Sequence, residues 1–226
     1  MIILIGANAS ITQDLVAQFS GEIILLVGRS KPIWLNKFNH ESVTYISTDY
    51  HDANFLEIAD IQTSEITVVF VGISSKSSLI VDVDNDDFLK DLDLNLNFAV
   101  KVSKRVLPKM ITEGYGRFIF LGSKEAARGT IGAASYAIIK QGQIGLSRTI
   151  AVEYARFGIT SNVIRLGLLA TGSRNRIRSP KELKDLVARI PTSANLETSD
   201  IAETIKALMK IKSINGTIID IDQGVR

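Results

Sequence analysis

Residues 1–12 read MIILIGANASIT, and this stretch sets the expectation for the fold of the whole chain. An apolar run is followed by a glycine, and helical spacing of apolar residues begins directly afterwards. This order is typical of the first strand, turn and helix of a nucleotide-binding parallel sheet. Only Gly6 is present where such a turn usually has several glycines, so the stretch also fits an ordinary strand-to-helix turn.

Six further apolar runs continue the pattern along the chain. Most of them lack polar alternation, which is typical of strands buried on both faces of a parallel sheet. Segments with helical spacing separate the runs, so we expect an α/β chain with a single-domain, Rossmann-like doubly wound parallel sheet of about seven strands and helices on both faces. The predicted strands are 2–5, 22–27, 43–47, 66–71, 117–121, 159–164 and 217–221.

Composition narrows the class of function. The 226 residues suit one domain over 1–226, with the cofactor half mainly in 1–95 and the catalytic half in 96–226. The net charge of +2 favours neither nucleic acid nor an anionic membrane as a partner. There is no cysteine and there are two histidines, so no metal site is expected. The first strand is expected to start at Met1 and no apolar run is long enough to span a bilayer, so we expect a cytoplasmic protein.

Four polar residues suggest an enzyme. Tyr136 and Lys140, in SYAIIKQG, are four residues apart on a predicted helix and share one face. That pair alone arises by chance in roughly a third of such chains. Ser123, however, ends the predicted strand RFIFLGS thirteen residues before Tyr136, and Asn95 lies upstream in a predicted helix.

With these four residues in this order, the sequence resembles the short-chain dehydrogenase/reductase family of the Tyr-x-x-x-Lys type, in particular its 3-oxoacyl-thioester and carbonyl reductases. The resemblance extends over nearly the whole chain, through 116–123, 135–142, 155–164 and 214–224. It implies that Asn95, Ser123, Tyr136 and Lys140 form the catalytic tetrad. Members of the family commonly form dimers or tetramers through the long helices after Asn95 and Tyr136, so a homodimer or homotetramer is expected.

The chemistry agrees with these residue types. A ketone that accepts a hydride develops negative charge on its oxygen, and a phenol such as Tyr136 can donate a proton there. A free phenol has a pKa of about 10, which a neighbouring ammonium, here Lys140, is expected to lower. By resemblance, Lys140 also binds the nicotinamide ribose. Ser123 is expected to bind the substrate oxygen, or to be only a strand-end turn residue, and Asn95 to hold a proton-relay water, or only to kink its helix.

The first turn departs from the family pattern. The family usually has Thr-Gly-x-x-x-Gly-x-Gly, whereas this chain keeps Gly6 and has Ser10 and Thr12 at the other glycine positions. Each substitution adds bulk where the backbone approaches the pyrophosphate. A compatible alternative is a helix capping box, in which Ser10 bonds the amide of Gln13. We interpret the stretch as a degenerate dinucleotide turn.

The second strand indicates which nicotinamide cofactor is used. It ends in Gly28 and Arg29 rather than in an acidic residue, and an arginine there can pair with a 2′-phosphate, so NADP(H) is favoured over NAD(H). The alternative for Arg29 is an exposed strand-end residue. By resemblance, Asp49 binds the adenine amino group and Thr171 the carboxamide. The residues expected to bind the cofactor are Gly6, Asn8, Ser10, Ile11, Arg29, Ser30, Asp49, Gly72, Tyr136, Lys140 and Thr171.

The polar stretch 171–199 is interpreted as a substrate lid, with a helix expected to start at Ser179-Pro180. Arg174, Arg176 and Arg178, together with Arg128, suggest a clamp for a phosphate, a carboxylate or a carrier-linked group on the substrate. The alternative is a solvated lid surface.

The main hypothesis is therefore an NADPH-dependent oxidoreductase that reduces a small-molecule carbonyl to an alcohol, or catalyses the reverse reaction, with Tyr136 as general acid or base. One alternative is a weak or inactive member of the family that binds nucleotide as a regulatory or scaffold subunit, which the altered glycine turn favours. Another is an enoyl-thioester reductase, although those enzymes usually space their tyrosine and lysine more widely than the four residues found here.

Overall fold

Seven parallel strands form one sheet, as the sequence predicts. The computed structural model describes residues 1–38, 41–50, 63–72, 76–169, 179–188, 190–194 and 196–225. The strands run in the order β3-β2-β1-β4-β5-β6-β7, and every neighbouring pair is parallel. They are β1 (Ile2–Ile5), β2 (Ile24–Gly28), β3 (Val43–Ser47), β4 (Thr67–Phe70), β5 (Gly116–Ser123), β6 (Ile159–Leu166) and β7 (Ile218–Ile221).

Helices connect the strands, and a helix begins at Pro180 as predicted. A π-helical turn, Asp93–Asn97, joins the second helix to the third. In the part of the chain that the structure describes, no helix has both the length and the apolar character needed to cross a membrane. The helices are α1 (Thr12–Gln18), α2 (Asn85–Leu92), α3 (Phe98–Glu113), α4 (Lys124–Arg128), α5 (Ala134–Tyr154), α6 (Pro180–Val187) and α7 (Thr198–Lys210), with 3-10 turns at Ile33–Lys37, Ile80–Asp82 and Ala155–Phe157.

The core lies on both faces of the sheet. Successive residues of a strand point to opposite faces, so one strand serves two apolar layers. Phe118 of β5 packs with α3 and α5 on one face, and Ile119 packs with α1 and α7 on the other. This double burial explains why the strands read as nearly continuous apolar runs without polar alternation.

The strand order determines where on the sheet a ligand site is expected. Chain order reverses between β1 and β4, which are neighbours although β2 and β3 lie between them in sequence. Ligands of doubly wound sheets bind in the crevice beyond the carboxyl ends of the strands at this reversal. The β1–α1 turn borders that crevice on one side, and the ends of β4 and β5 border it on the other.

Candidate active site

Lys140 lies at the centre of the candidate site. It is only 5% exposed, and its Nζ donates a hydrogen bond of 2.6 Å to the carbonyl oxygen of Leu121 near the end of β5. Burial lowers the pKa of this lysine from 10.5 to about 8, because the charged form loses hydration. The ammonium therefore stays mainly protonated at neutral pH, although its proton is held more weakly than usual.

Tyr136 lies one helical turn before Lys140 on α5. The distance from Lys140 Nζ to the centre of the Tyr136 ring is 5.9 Å, and the tyrosine is half-buried. The expected pairing of the two side chains on one helix face is thus present in the fold. A phenol beside a buried ammonium, at the carboxyl edge of the sheet, is suited to proton transfer.

Gly72, just after β4, lets the backbone approach this pair closely. Its φ is +88°, which side chains other than glycine rarely adopt. A Cβ built on Gly72 would lie 2.5 Å from Lys140 Nζ and 3.9 Å from Asn95 Oδ1. The position therefore needs glycine on two grounds, and it brings the end of β4 against both Lys140 and Asn95.

Asn95 belongs to the π-helical turn that precedes α3. Its Nδ2 donates to the carbonyl oxygen of Asp91 at 2.9 Å, so the side chain bonds to the irregular helix itself. This bond is compatible with both roles expected for Asn95, because Oδ1 still lies close to Gly72. π-Helical turns occur often at functional sites.

Gln143 supports Asn95, and sequence reasoning missed it. Its Nε2 donates to the main-chain oxygen of Asn95 at 3.4 Å, whereas its buried Oε1 has no partner among the described residues. Gln143 lines a small cavity together with Gly6, Gly72 and Asn95. A polar residue three positions after Lys140, on the same buried helix face, was the available indication in the sequence.

Ser123 ends β5 and caps α4. Its Oγ accepts a hydrogen bond from the amide of Ala126 at 3.4 Å, so the hydroxyl still has its own hydrogen to donate. Gln141 of α5 also reaches this turn, because its Nε2 donates to the Ala126 carbonyl oxygen at 3.5 Å. The role of a strand-end turn residue is therefore compatible with substrate binding by the same hydroxyl.

The structure of the β1–α1 turn contradicts one of the two interpretations of its sequence. Gly6 has a φ of +114°, and its amide and that of Ala7 donate to the carbonyl oxygen of Val27 at 3.0 and 2.9 Å. α1 begins at Thr12, with Ile11 in the cap position and no side-chain cap. The predicted capping box of Ser10 and Gln13 is therefore wrong, because Ile11 rather than Ser10 is the N-cap and the helix begins one residue later than that motif requires.

Thr12 explains how the turn accommodates a side chain where a glycine is usual. The residue is fully buried, and its Oγ1 donates to the carbonyl oxygen of Gly6 at 2.8 Å. The Thr12 side chain is thus packed on the inner side of the turn and does not project into the crevice. The amides of Asn8, Ser10 and Ile11 form no hydrogen bond within the described part of the chain, so they remain available to an anionic group.

Residues after β2 and β3, together with the β1–α1 turn, form the part of the site expected to bind the nucleotide, here called the nucleotide side. Asn8 Nδ2 donates to the main-chain oxygen of Ser30 at 2.7 Å and to its Oγ at 3.2 Å. Arg29 is exposed beside them, and the Ser47 hydroxyl donates to its carbonyl oxygen at 3.2 Å. Asp49 is exposed just after β3. These residues meet at one edge of the sheet, as the sequence predicted from the strand ends.

Several predicted residues lie outside the described residues. They are Thr171 and the arginines Arg174, Arg176 and Arg178 of the predicted lid. Arg128, the fourth arginine of that prediction, is exposed at the end of α4. Among the described residues, the structure thus brings Asn95, Tyr136 and Lys140 together around Gly72, and it brings Asn8 to Ser30.

Comparisons with known proteins identify relatives of this chain. A family model described as enoyl-(acyl carrier protein) reductase matches residues 54–226. The 3-oxoacyl-(acyl-carrier-protein) reductase FabG of Rickettsia bellii is 30% identical over 171 residues, which are 74% of this chain and 70% of that protein. The protein of the same name from Buchnera aphidicola subsp. Schizaphis graminum is 26% identical over 232 residues, covering 97% of this chain and 94% of that one.

Solved structures share the fold. An oxidoreductase of the short-chain dehydrogenase/reductase family from Burkholderia thailandensis superposes with a TM-score of 0.85 at 23% identity, covering 99% of this chain and 91% of that one. A variant of the actinorhodin polyketide ketoreductase, solved with NADPH, also has a TM-score of 0.85 at 20% identity, covering 99% and 96%. At these identities the likeness concerns the fold alone.

Proposed function

The chain belongs to the short-chain dehydrogenase/reductase family, and on that premise we propose that it is an NADPH-dependent reductase of 3-oxoacyl thioesters. The observation that carries the proposal is the buried ammonium of Lys140, 5.9 Å from the ring centre of Tyr136 and one helical turn away from it. That pair is suited to protonating a carbonyl oxygen. Relatives named 3-oxoacyl reductases support the substrate class.

Tyr136 is the general acid of the proposed reaction. As a bond forms between hydride and the carbonyl carbon, the carbonyl π pair moves onto oxygen, and the Tyr136 hydroxyl transfers its proton there. The positive charge of Lys140 stabilises the phenolate that remains. When bound, NADPH supplies the hydride.

Ser123 and Asn95 orient the reaction. Because Ser123 Oγ accepts from the Ala126 amide, its own O–H donates to the substrate oxygen and sets the carbonyl at the angle that Tyr136 requires. After Lys140 has given its proton to the Tyr136 phenolate, a water held by Asn95, near Lys140 across Gly72, passes a solvent proton back to the lysine.

The nucleotide side fits a dinucleotide phosphate. The unbonded amides of Asn8, Ser10 and Ile11 are suited to the pyrophosphate, since the bulk of Thr12 points away from them. Arg29 and Ser30 are suited to the 2′-phosphate, because both are exposed directly after β2, where the chain has an arginine instead of an acidic residue. As the family resemblance implies, Asp49 binds the adenine amino group and Thr171 binds the carboxamide. Gly72 contributes backbone on the nicotinamide side of the cofactor.

The test is a titration followed by turnover. The purified protein is titrated with NADPH and, separately, NADH, with nicotinamide fluorescence and thermal melting as readouts. Saturable NADPH binding and a higher melting temperature, followed by oxidation of NADPH on addition of a 3-oxoacyl thioester, are expected. Binding without turnover of any carbonyl substrate would favour the regulatory or scaffold alternative.

A second candidate is reduction of a 2-enoyl thioester, which the description of the matching family model favours. Here the acceptor is a carbon–carbon double bond, so the substrate itself distinguishes the two reactions. The four-residue separation of Tyr136 and Lys140 favours carbonyl chemistry. Parallel assays with 3-oxoacyl and 2-enoyl thioesters of one chain length decide between them, since we expect turnover of the first only.

The homo-oligomer implied by the family also remains a proposal. Ile138 and Val152 are exposed on α5, at 47% and 82%, and apolar residues on an exposed helix are available for burial against a second copy. Light scattering of the purified protein tests this, with a mass of two or four chains expected.

A further inference from the structure

The turn that bears Ser123 is tied to a distant strand by an ion-pair network. Lys124 follows Ser123 directly, and its Nζ lies 2.9 Å from Asp220 Oδ2 and 2.6 Å from Asp222 Oδ2. Asp220 belongs to β7 and Asp222 follows it. Because β6 lies between β5 and β7, the lysine side chain reaches across a whole strand to make these contacts.

Arg165 of the intervening strand joins the network. Its Nε and Nη2 lie 2.5 and 2.7 Å from the two oxygens of Asp220, a bidentate pairing. In the sheet register, Gly122 pairs with Arg165, which pairs with Asp220. Two cations and two carboxylates thus connect the carboxyl ends of three strands next to the proposed carbonyl site.

The network is only partly shielded from solvent, since the Arg165 and Asp220 side chains are 25% and 31% exposed. The side chains of Lys124 and Asp222 are 20% and 10% exposed, and Asp222 also accepts a hydrogen bond from the Gly224 amide at 3.0 Å. Partly buried pairs with defined geometry restrict motion more than exposed surface pairs do. The two positive and two negative charges balance, so the network adds little net charge to the site.

We propose that Lys124 is a positioning residue that fixes the Ser123 hydroxyl by tying its turn to the end of β7. The catalytic part of this inference rests on the proposed function. Ser123 Oγ is oriented by the turn into α4, where the Ala126 amide donates to it at 3.4 Å. Lys124 is the first residue of that turn, so its anchor on Asp220 and Asp222 sets the direction of the hydroxyl.

This connection of the Ser123 turn to the end of β7, here called the tether, predicts that β7 contributes to catalysis although no residue of the proposed tetrad lies on it. Small displacements of a group that orients a substrate lower kcat strongly. Loss of Lys124 should therefore affect the turnover of substrate rather than the binding of cofactor, because the nucleotide-side residues belong to the β1–α1 turn and to the ends of β2 and β3.

The first experiment compares Lys124→Met with Lys124→Arg and Lys109→Met. The pair of Lys109 and Glu113 is a matched control, since its side chains are 20% and 32% exposed and it lies on α3. With NADPH and a 3-oxoacyl thioester, Lys124→Met should lose about tenfold or more in kcat with an unchanged Kd for NADPH. Lys124→Arg should recover most of the loss, and Lys109→Met should resemble the parent. A kcat of Lys124→Met within about twofold of the parent would overturn the proposal.

A second variant separates position from charge. Lys124→Met leaves Asp222 without its cation, so a loss of kcat by itself has two explanations. In the double variant Lys124→Met and Asp222→Asn, the unpaired charge is removed while the tether stays broken. Positioning predicts that kcat stays low in the double variant, whereas recovery of kcat would assign the effect to charge and refute the tether.

A third measurement does not need activity. Hydrogen exchange of the Ala126 amide reports directly on its bond to Ser123 Oγ. We expect this amide to exchange roughly tenfold faster in Lys124→Met than in the parent or in Lys109→Met. Equal exchange rates would refute the tether. A parent protein without any reductase activity would refute the proposed function instead, and the exchange rates would still decide whether the tether exists.

Discussion

The catalytic region around Lys140 and the β1–α1 turn differ in how they depend on residue identity. Around Lys140 the functional groups belong to side chains: an ammonium, a phenol, a hydroxyl and an amide. In the turn, the groups suited to phosphate are backbone amides, and side chains mainly support them. The first region keeps all four residue types of the family pattern, whereas the second has lost two of its glycines.

The difference shows where a family motif tolerates change. A backbone site survives a substitution if the new side chain can be placed outside the ligand space, as Thr12 is when its hydroxyl bonds the Gly6 carbonyl oxygen. A side-chain site has no such freedom, because the reacting atom itself would be lost. Four predictions test this contrast, and they follow in order of decreasing effect.

The largest effect is expected for Tyr136→Phe. Removal of the hydroxyl takes away the proton donor, so kcat should fall by about 10²- to 10⁴-fold with little change in the Kd for NADPH. Nicotinamide absorbance with a 3-oxoacyl thioester measures it. Tyr154→Phe, at the other end of α5, is the control. If Tyr136→Phe kept most of the parent activity, another group would have to be the acid.

Lys140→Met should separate stability from activity. Burial lowers the pKa of Lys140 to about 8, so the folded state binds the proton more weakly than the unfolded chain does. The loss of folding stability that results is complete below about pH 8, and it disappears as the pH rises toward 10.5, the pKa of the lysine in the unfolded chain. At pH 7 the variant should gain up to about 3 kcal/mol in free energy of unfolding, reduced by the lost bond to Leu121, while it loses activity.

Urea unfolding of the cofactor-free proteins at neutral and at alkaline pH measures this difference. The stability advantage of Lys140→Met over the parent should shrink between about pH 8 and 10.5. Lys109→Met serves as the control, because its lysine pairs with Glu113 and is more exposed than Lys140. An advantage that does not change with pH would mean that the buried lysine is not the source.

Arg29→Asp should reverse the preference for the cofactor. Loss of a charged hydrogen bond to the 2′-phosphate should raise the Kd for NADPH by about 10- to 100-fold, and the Kd for NADH should change less. Fluorescence titration measures both constants. Lys31→Asp, an exposed neighbour, is the matched control, and an unaltered NADPH to NADH ratio in Arg29→Asp would remove Arg29 from the cofactor site.

The smallest effect is expected for Thr12→Val. The variant keeps the shape of the side chain but removes one of the two donors to the Gly6 carbonyl oxygen, which still accepts from the Ala9 amide. The free energy of unfolding should therefore fall by about 1 kcal/mol. The Kd for NADPH should rise modestly, because the turn loses its internal support. Thr12→Ser, which keeps the hydroxyl, should bind and unfold like the parent. Equal behaviour of Val and Ser variants would show that the bond does not stabilise the turn.

Local patterns were enough to predict most of the fold. Continuous apolar runs correctly predicted seven buried strands, since each strand is covered on both faces. α2 and α4 were missed. α2 buries no side chain and consists mostly of polar residues, and α4 has only five residues, so neither has the extended apolar stripe of a helix that packs on the core. The capping box at Ser10 was a wrong prediction, because local sequence does not specify at which residue a turn enters its helix.

By itself, the sequence determined the fold class, because buried strands and amphipathic helices differ in their apolar periodicity along the chain. The four residues of the proposed tetrad were predicted through the family resemblance. Only the tertiary structure decided which atoms meet. The approach of Gly72 to Lys140, the support of Asn95 by Gln143 and the bond between Lys124 and Asp222 each join residues from different elements. The last contact spans almost a hundred positions, and such contacts follow from strand order and sheet register rather than from local sequence.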